Sequence, residues 1–197
     1  MALHRVTKGL DLPVAGAPAS VIEDRRACPR VALLGADYVG MKPAFRVAVG
    51  DRVRRGTVVF EDRKTPGVFH TSPGAGTVQA IHRGAQRVFQ SLVVELTESE
   101  RAGAPTDEDF EPLASYRERA PSALSRDEVR ALLVESGLWT ALRARPIGRV
   151  ADPAATPRSI FVTAMDTQPL AAPVAKAIEG QEASFLAGLE AVARLTD

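Results

Sequence analysis

Cysteine is nearly absent from this chain: one residue, Cys28, in 197. A lone cysteine excludes an internal disulfide and any multi-cysteine metal or iron–sulfur centre. Histidine is scarce too. His4, His70 and His82 are scattered without the spacing a zinc site needs. Aromatics make up only 5% of the chain, with one tryptophan and two tyrosines, so each ring has to be accounted for. Neither sign of charge dominates. The 25 basic and 24 acidic residues leave a net +1, which advertises no polyanion partner and argues against nucleic-acid binding. No apolar run approaches the length of a membrane span, and the N-terminus lacks the apolar core of a signal peptide. Attachment to a membrane is therefore expected only through partners. Nucleotide loops are missing as well. Gly35, Gly40 and Lys42 nearly spell G-x-x-x-x-G-K-[ST], but Met41 parts glycine from lysine and Pro43 stands where a hydroxyl must reach magnesium. Gly74-x-Gly76 fails likewise, because Gln79 replaces the third glycine of a dinucleotide fingerprint.

What is present is the composition of a folded globular protein, 45% apolar and 25% charged, long enough for one domain and part of a second. The chain is organised around residues 47–96. Short runs rich in β-branched residues (Val47-Ala48-Val49, Thr57-Val58-Val59-Phe60, Gly76-Thr77-Val78, Ser91-Leu92-Val93-Val94) alternate there with Gly, Asp and Pro. That spacing predicts many short strands joined by tight turns, closing into a small barrel or sandwich. The stretch also echoes itself. Val47-x-x-Gly50-x-x-Val53 returns as Ile81-x-x-Gly84-x-x-x-Val88, with one extra residue before the last valine.

The phrase Val47-x-x-Gly50-Asp51-x-Val53-x-x-Gly56, followed by Pro73-Gly74-Ala75-Gly76-Thr77-Val78, resembles the barrel-sandwich fold of biotinyl and lipoyl carrier domains. Those domains carry their cofactor on a hairpin lysine in a Met-Lys-Met or Asp-Lys-Ala setting. The nearest lysine here, Lys64, has neither setting. It reads as a solvated turn residue, and a plain structural or carrier module on a lipoyl-like barrel is the alternative reading of the whole chain.

Around the barrel, residues 1–30 form an extended, turn-rich arm expected to lie across it. Val31-Ala32-Leu33-Leu34 reads as a buried strand that opens the barrel domain, residues 31–98. Residues 99–124 read as a linker, rich in Pro and acidic side chains. Ser125-Arg126-Asp127-Glu128 is a capping box. The helix it starts sets Val129, Leu132 and Leu133 on one face and stops at Gly137. Ser159-Ile160-Phe161-Val162-Thr163-Ala164-Met165 reads as a buried strand. Residues 183–195 read as a helix with Phe185, Leu186, Leu189, Val192 and Leu195 inward. Strand and helix together make a β-α unit of a parallel sheet whose next strand does not follow, so the sequence reads as the front end of something longer. The expected fold class is α+β: an N-terminal barrel-sandwich, biotinyl/lipoyl-like all-β domain, then residues 125–197 as the start of an α/β, Rossmann-like domain.

Order and wording together resemble a family. The phrases Gly9-Leu10-Asp11-Leu12-Pro13-x-Ala15-Gly16, Val31-Ala32-Leu33-Leu34-Gly35-x-x-Tyr38-Val39-Gly40-Met41, Phe60-Glu61-Asp62, Gly137-Leu138-Trp139-Thr140-Ala141-Leu142-Arg143 and Phe161-Val162-Thr163-Ala164-Met165-Asp166-Thr167 are similar to the N-terminal part of the A subunit of the bacterial Na⁺-translocating NADH:quinone oxidoreductase. More distant likenesses are the C subunit of the Rnf electron-transport complex and the NADH-flavin subunit of complex I.

The resemblance implies a peripheral cytoplasmic subunit, held to the inner membrane by the other subunits of a complex that passes electrons from NADH to ubiquinone and exports sodium. NADH, flavins and an iron–sulfur centre would belong to those other subunits. This chain would bind no cofactor or metal, hold no complete active site alone, and contribute docking surface and a ubiquinone site. Leu33, Leu34, Gly35, Tyr38, Val39, Gly40, Met41 and Trp139 are the candidate quinone residues, because a quinone headgroup needs an apolar slot, stacking rings and one or two donors. The alternative is that Tyr38 and Trp139 fill the interface between the two domains, since buried aromatics are usually core. The flavin-bearing relatives follow a Ser-Gly-Leu segment with a glycine-rich phosphate loop. Here Ser136-Gly137-Leu138 is followed by no glycine until Gly148, so no flavin is expected on this chain.

Overall fold

A computed structural model describes residues 9, 14–23, 28–166 and 168–196. Seven strands occupy the first half: β1 (Arg30–Leu34), β2 (Pro43–Phe45), β3 (Arg52–Val53), β4 (Val58–Asp62), β5 (Phe69–Thr71), β6 (Gly76–Arg83) and β7 (Phe89–Leu96). They form one sheet ordered β1-β7-β6-β3 and another ordered β2-β4-β5, with every pair antiparallel. Val53, Val59, Phe60, Val78, Phe89, Leu92 and Val94 make the shared core, with Leu33, Met41 and Val47 packed against it. The expected barrel-sandwich of short antiparallel strands is the observed architecture.

Three local readings need correction. Val47-Ala48-Val49 is not a strand. The Asp51 carboxylate accepts the Ala48 N–H at 2.8 Å, Asp51 N–H donates back to Ala48 O at 3.2 Å, and Gly50 turns at φ +97°. The backbone groups a ladder would need are spent on a turn. Residues 31–34 do form β1, but as a half-buried strand that pairs only with β7 and leaves Leu34 45% exposed. An edge strand has one packed face, so an all-apolar run there does not mean full burial. The echoed hairpin is also imperfect. Its extra residue is absorbed in the turn at residues 85–87, where Gln86 and Arg87 take φ of 52° and 60°.

The segment read as a linker connects the two halves but is fastened to the barrel. The short α1 (Glu98–Arg101) places Glu100, whose carboxylate takes Arg55 and the Ala75 N–H. Arg55 and Phe110 make a parallel bridge, and Glu111 accepts from the Thr57 hydroxyl at 2.7 Å. Asp109, 6% exposed, collects Thr97, Ser99 and Thr106. Glu100, Asp109 and Glu111 are thus paired acceptors, while Asp107 and Glu108 are exposed.

Helix α2 (Arg126–Glu135) begins at the capping box, with Ser125 and Glu128 bonding reciprocally, and ends where Gly137 turns at φ +79°. Its Val129 joins Val68, Leu124, Trp139 and Leu195 in a second core. Val68 reaches this core from the β4–β5 hairpin. Asp62 ties that hairpin by accepting the Lys42 and Lys64 N–H groups at 2.9 and 3.0 Å, and Glu61 accepts from Gly67 at 3.1 Å. It is anchored, with Lys64 in solvent. A small hairpin, β8 (Arg143–Ala144) and β9 (Arg149–Val150), follows.

The chain divides into two compact units, Met1–Asp24 with Phe161–Leu186 and Arg25–Ile160 with Ala187–Asp197. Both cores lie in the second. In the first, residues 161–166 are irregular, with Phe161 86% and Met165 70% exposed, so the expected buried strand over residues 159–165 is not formed. Among the described residues no segment offers it a ladder, and an unpaired run cannot hold strand geometry by composition alone. The parallel β-α unit is therefore not present among them. The expected helix over residues 183–195 forms as α4 (Glu182–Ala193), preceded by a short α3 (Val174–Ile178) that was not expected. Leu195 is buried as expected, whereas Leu186, read as inward, is 59% exposed. Most of the N-terminal arm, including residues 10–13 of its motif, lies outside the described residues. Residues 14–23 are irregular and exposed.

Candidate functional site

Gly35 opens the loop at the end of β1, and a Cβ there would strike the Phe89 carbonyl. The close approach lets residues 35–37 make one 3-10 turn, closed by Tyr38 N–H on Gly35 O at 3.3 Å. Met41 N–H then bonds Tyr38 O at 3.2 Å, and Lys42 N–H is fixed by Asp62. Tied at both ends, the loop presents the Tyr38 ring to β5. There it meets His70 at 4.4 Å between ring centroids, the planes 81° apart.

His70 is the hinge of an aromatic column. On its other side the imidazole stacks on Phe60 at 4.4 Å and 22°, and Phe60 meets Phe45 and Phe89 edge-on at 5.5 and 5.3 Å. Beyond Tyr38, the Arg143 guanidinium lies 5.2 Å from its ring centre. The column thus runs from the barrel core to an exposed arginine on β8. The second half of the chain delivers Arg143 because Gly137, packed so tightly on Thr71 that a Cβ would overlap its hydroxyl, starts a 3-10 turn over residues 138–141. Thr71 Oγ1 donates to Ser136 O at 3.0 Å, and the Thr140 hydroxyl, which donates to Gly137 O at 2.8 Å, acts on Tyr38. On the far side of the loop, Arg149 lies over Gly40, which turns at φ +73°.

Electrostatics follow from burial. His70 is 2% exposed, and burial pulls its pKa to about 4, against the attraction of Asp62 and with the repulsion of Arg143. It is neutral at physiological pH. Neither ring nitrogen finds a hydrogen-bond partner among the described residues. Burial, helped by Asp37, raises the Tyr38 pKa, while Arg143 and Thr140 pull the other way.

The expected site residues separate into groups. Tyr38 and Gly40 sit at the meeting of loop and hairpin. Val39, 49% exposed, and Leu34 face solvent. Leu33 and Met41 pack on the barrel core, and Gly35 carries the close approach. Trp139 does not share the face. It is 3% exposed in the second core, and its indole N–H is spent on Ala151 O at 2.7 Å. Sequence reasoning missed His70, Thr140 and Arg149. It named Arg143 only as the end of the phrase from Gly137 to Arg143. Read at period two, the run Val68, His70, Ser72 points one way, and all three are buried. That alternation was the available signal.

Among the described residues no group of His, Cys, Asp and Glu is placed to hold a metal ion, and no helix is long and apolar enough to cross a membrane. The arrangement gathers a column of rings packed mostly edge to face, a buried neutral imidazole, a hydroxyl and an exposed guanidinium. Those groups suit a planar ring with polar edges.

Residues 4–97 match the NqrA N-terminal barrel-sandwich hybrid domain, and residues 124–197 match the NqrA second alpha/beta domain. The chain is 48% identical over 193 residues to the A subunit of the Na(+)-translocating NADH-quinone reductase of Klebsiella pneumoniae, covering 98% of this chain and 41% of that protein. To its counterpart in Serratia proteamaculans it is 50% identical, with the same coverage. To that of Pseudomonas aeruginosa it is 50% identical over 191 residues, 97% of this chain and 41% of the relative. The chain therefore spans about two fifths of the length of the curated relatives it matches.

Proposed function

Because this chain belongs to the NqrA family, with an N-terminal barrel-sandwich hybrid domain followed by an α/β domain, we propose that it acts as part of the NqrA subunit of a Na⁺-translocating NADH-quinone reductase. In that role it is a peripheral subunit on the cytoplasmic side of the membrane, held there by its partner subunits. NADH oxidation, the flavins, the iron–sulfur centre and sodium passage belong to those partners, and this chain supplies docking surface and a slot for the ubiquinone headgroup. The slot is the loop from Leu33 to Met41 where it meets the Thr140–Arg143 turn.

One observation carries the quinone reading: the Tyr38 ring meets a neutral buried imidazole at 4.4 Å and a guanidinium at 5.2 Å. A quinone is a flat apolar ring with two carbonyl acceptors, and these groups supply a stacking face and donors. Replacing Arg143→Ala in the assembled complex is expected to raise the apparent KM for ubiquinone about tenfold, roughly 1.4 kcal/mol of binding. NADH oxidation by an artificial electron acceptor should stay unchanged. Equal loss of both activities would assign Arg143 to assembly and remove the quinone site from this loop.

A further inference from the structure

His70 is the one group in the column that structural packing does not explain. A barrel core could be filled there by phenylalanine or leucine, as at Phe60, which stacks on it. Instead the position holds an imidazole that is 2% exposed, with neither nitrogen bonded by any described residue. Burying a donor and an acceptor without partners is costly, and such groups are retained where a partner arrives. Among the described residues, the rings over it are Phe60 and Tyr38, and the tyrosine sits on a loop with Gly40 at φ +73°.

We propose that His70 is the polar floor of the quinone slot and Tyr38 its lid: the tyrosine ring swings off the imidazole, a quinone ring takes its place, and a ring carbonyl accepts the His70 N–H. This rests on the quinone reading above and adds the residue that positions the ring. With Tyr38 in place neither nitrogen is exposed or hydrogen-bonded among the described residues. With it displaced, Arg143, which stacks on the tyrosine ring, stands over the ligand ring instead. A planar ring is thereby held between a cation and an imidazole, with its carbonyl edge fixed by one directed bond. The site then discriminates a quinone from an apolar ring of equal size, because only a carbonyl relieves the imidazole.

The test is an equilibrium titration of the chain with ubiquinone-1, a short-tailed soluble quinone, beside a thermal melt, on wild type and His70→Phe. Phenylalanine keeps a flat ring and removes both nitrogens. The expected result has opposite signs: His70→Phe melts higher than wild type yet binds ubiquinone-1 about tenfold more weakly, the worth of one hydrogen bond to a buried group. A purely structural histidine would lose stability and binding together, and that result overturns the proposal. So does equal affinity of the two proteins. If wild type itself binds no ubiquinone-1, the quinone reading fails, and this inference with it; binding by wild type that is unaltered in the variant defeats the inference alone. Should the variant not fold, ¹⁵N resonances of the His70 ring in wild type decide. The proposal requires the N–H nitrogen to shift on adding ubiquinone-1 and to stay fixed on adding toluene.

Discussion

At the scale of the residue, His70 shows how one buried titratable group governs behaviour in acid. Its folded pKa is about 4, below the ordinary 6.5 of the unfolded chain. Below pH 6.5 the unfolded state takes up a proton that the folded state refuses, so stability falls with pH until the folded pKa is reached. Between pH 6.5 and 5 the loss is about 1.5 kcal/mol. The carboxylates with lowered pKa, Glu100 and Glu135 among them, have an ordinary value of 4.5, so their contribution is lost only below that range. Urea unfolding at pH 6.5 and 5 should show this slope in wild type and its disappearance in His70→Phe. Spacing to other histidines said nothing of this residue, because metal spacing asks about ligands. Strand alternation asks about burial, and by that criterion the position was legible.

At the scale of the element, Gly137 joins the two halves of the folded unit. It ends α2 in the left-handed region at φ +79° and lies directly on the Thr71 side chain of β5. Gly137→Ala is expected to destabilise the protein by about 2 kcal/mol or more, since it adds backbone strain to a steric overlap. The same change would push the Thr140–Arg143 turn off Tyr38, so thermal melts and quinone affinity should fall together. That helix was legible at both ends, because a capping box and a stop glycine are local chemistry. The strand expected over residues 159–165 was not. A β-branched run states a preference, whereas a strand needs a hydrogen-bonded neighbour that composition does not supply. Residues 47–49 failed for the opposite reason: Asp51 offered their backbone a nearer partner.

At the scale of the whole molecule, the barrel was readable from its turns, since Gly50, Gly56, Gly67 and the Pro73-Gly74 pair punctuate strands too short for periodicity to define. The fastening of residues 97–124 was not, because Arg55–Glu100 and Thr57–Glu111 join positions far apart in sequence. The second half bears on flavin. Its only glycine before Gly148 in the region of the relatives' phosphate loop is Gly137, which is packed against the barrel, and Arg143 is engaged with Tyr38. No glycine-lined nest of amides stands there among the described residues to hold a phosphate. The purified chain is expected to show no visible flavin absorbance and no tryptophan quenching by FMN up to roughly millimolar. Stoichiometric FMN in the folded protein would refute this. The pairing of the first barrel strand with the last, Arg30 against Glu95 through Leu34 against Ser91, sets a clock on synthesis. A ribosome adding roughly 5–20 residues per second delivers β1 several seconds before β7, and Val31 and Leu33 spend that interval without their native ladder. The barrel becomes a folding unit only when Leu96 has cleared the exit tunnel.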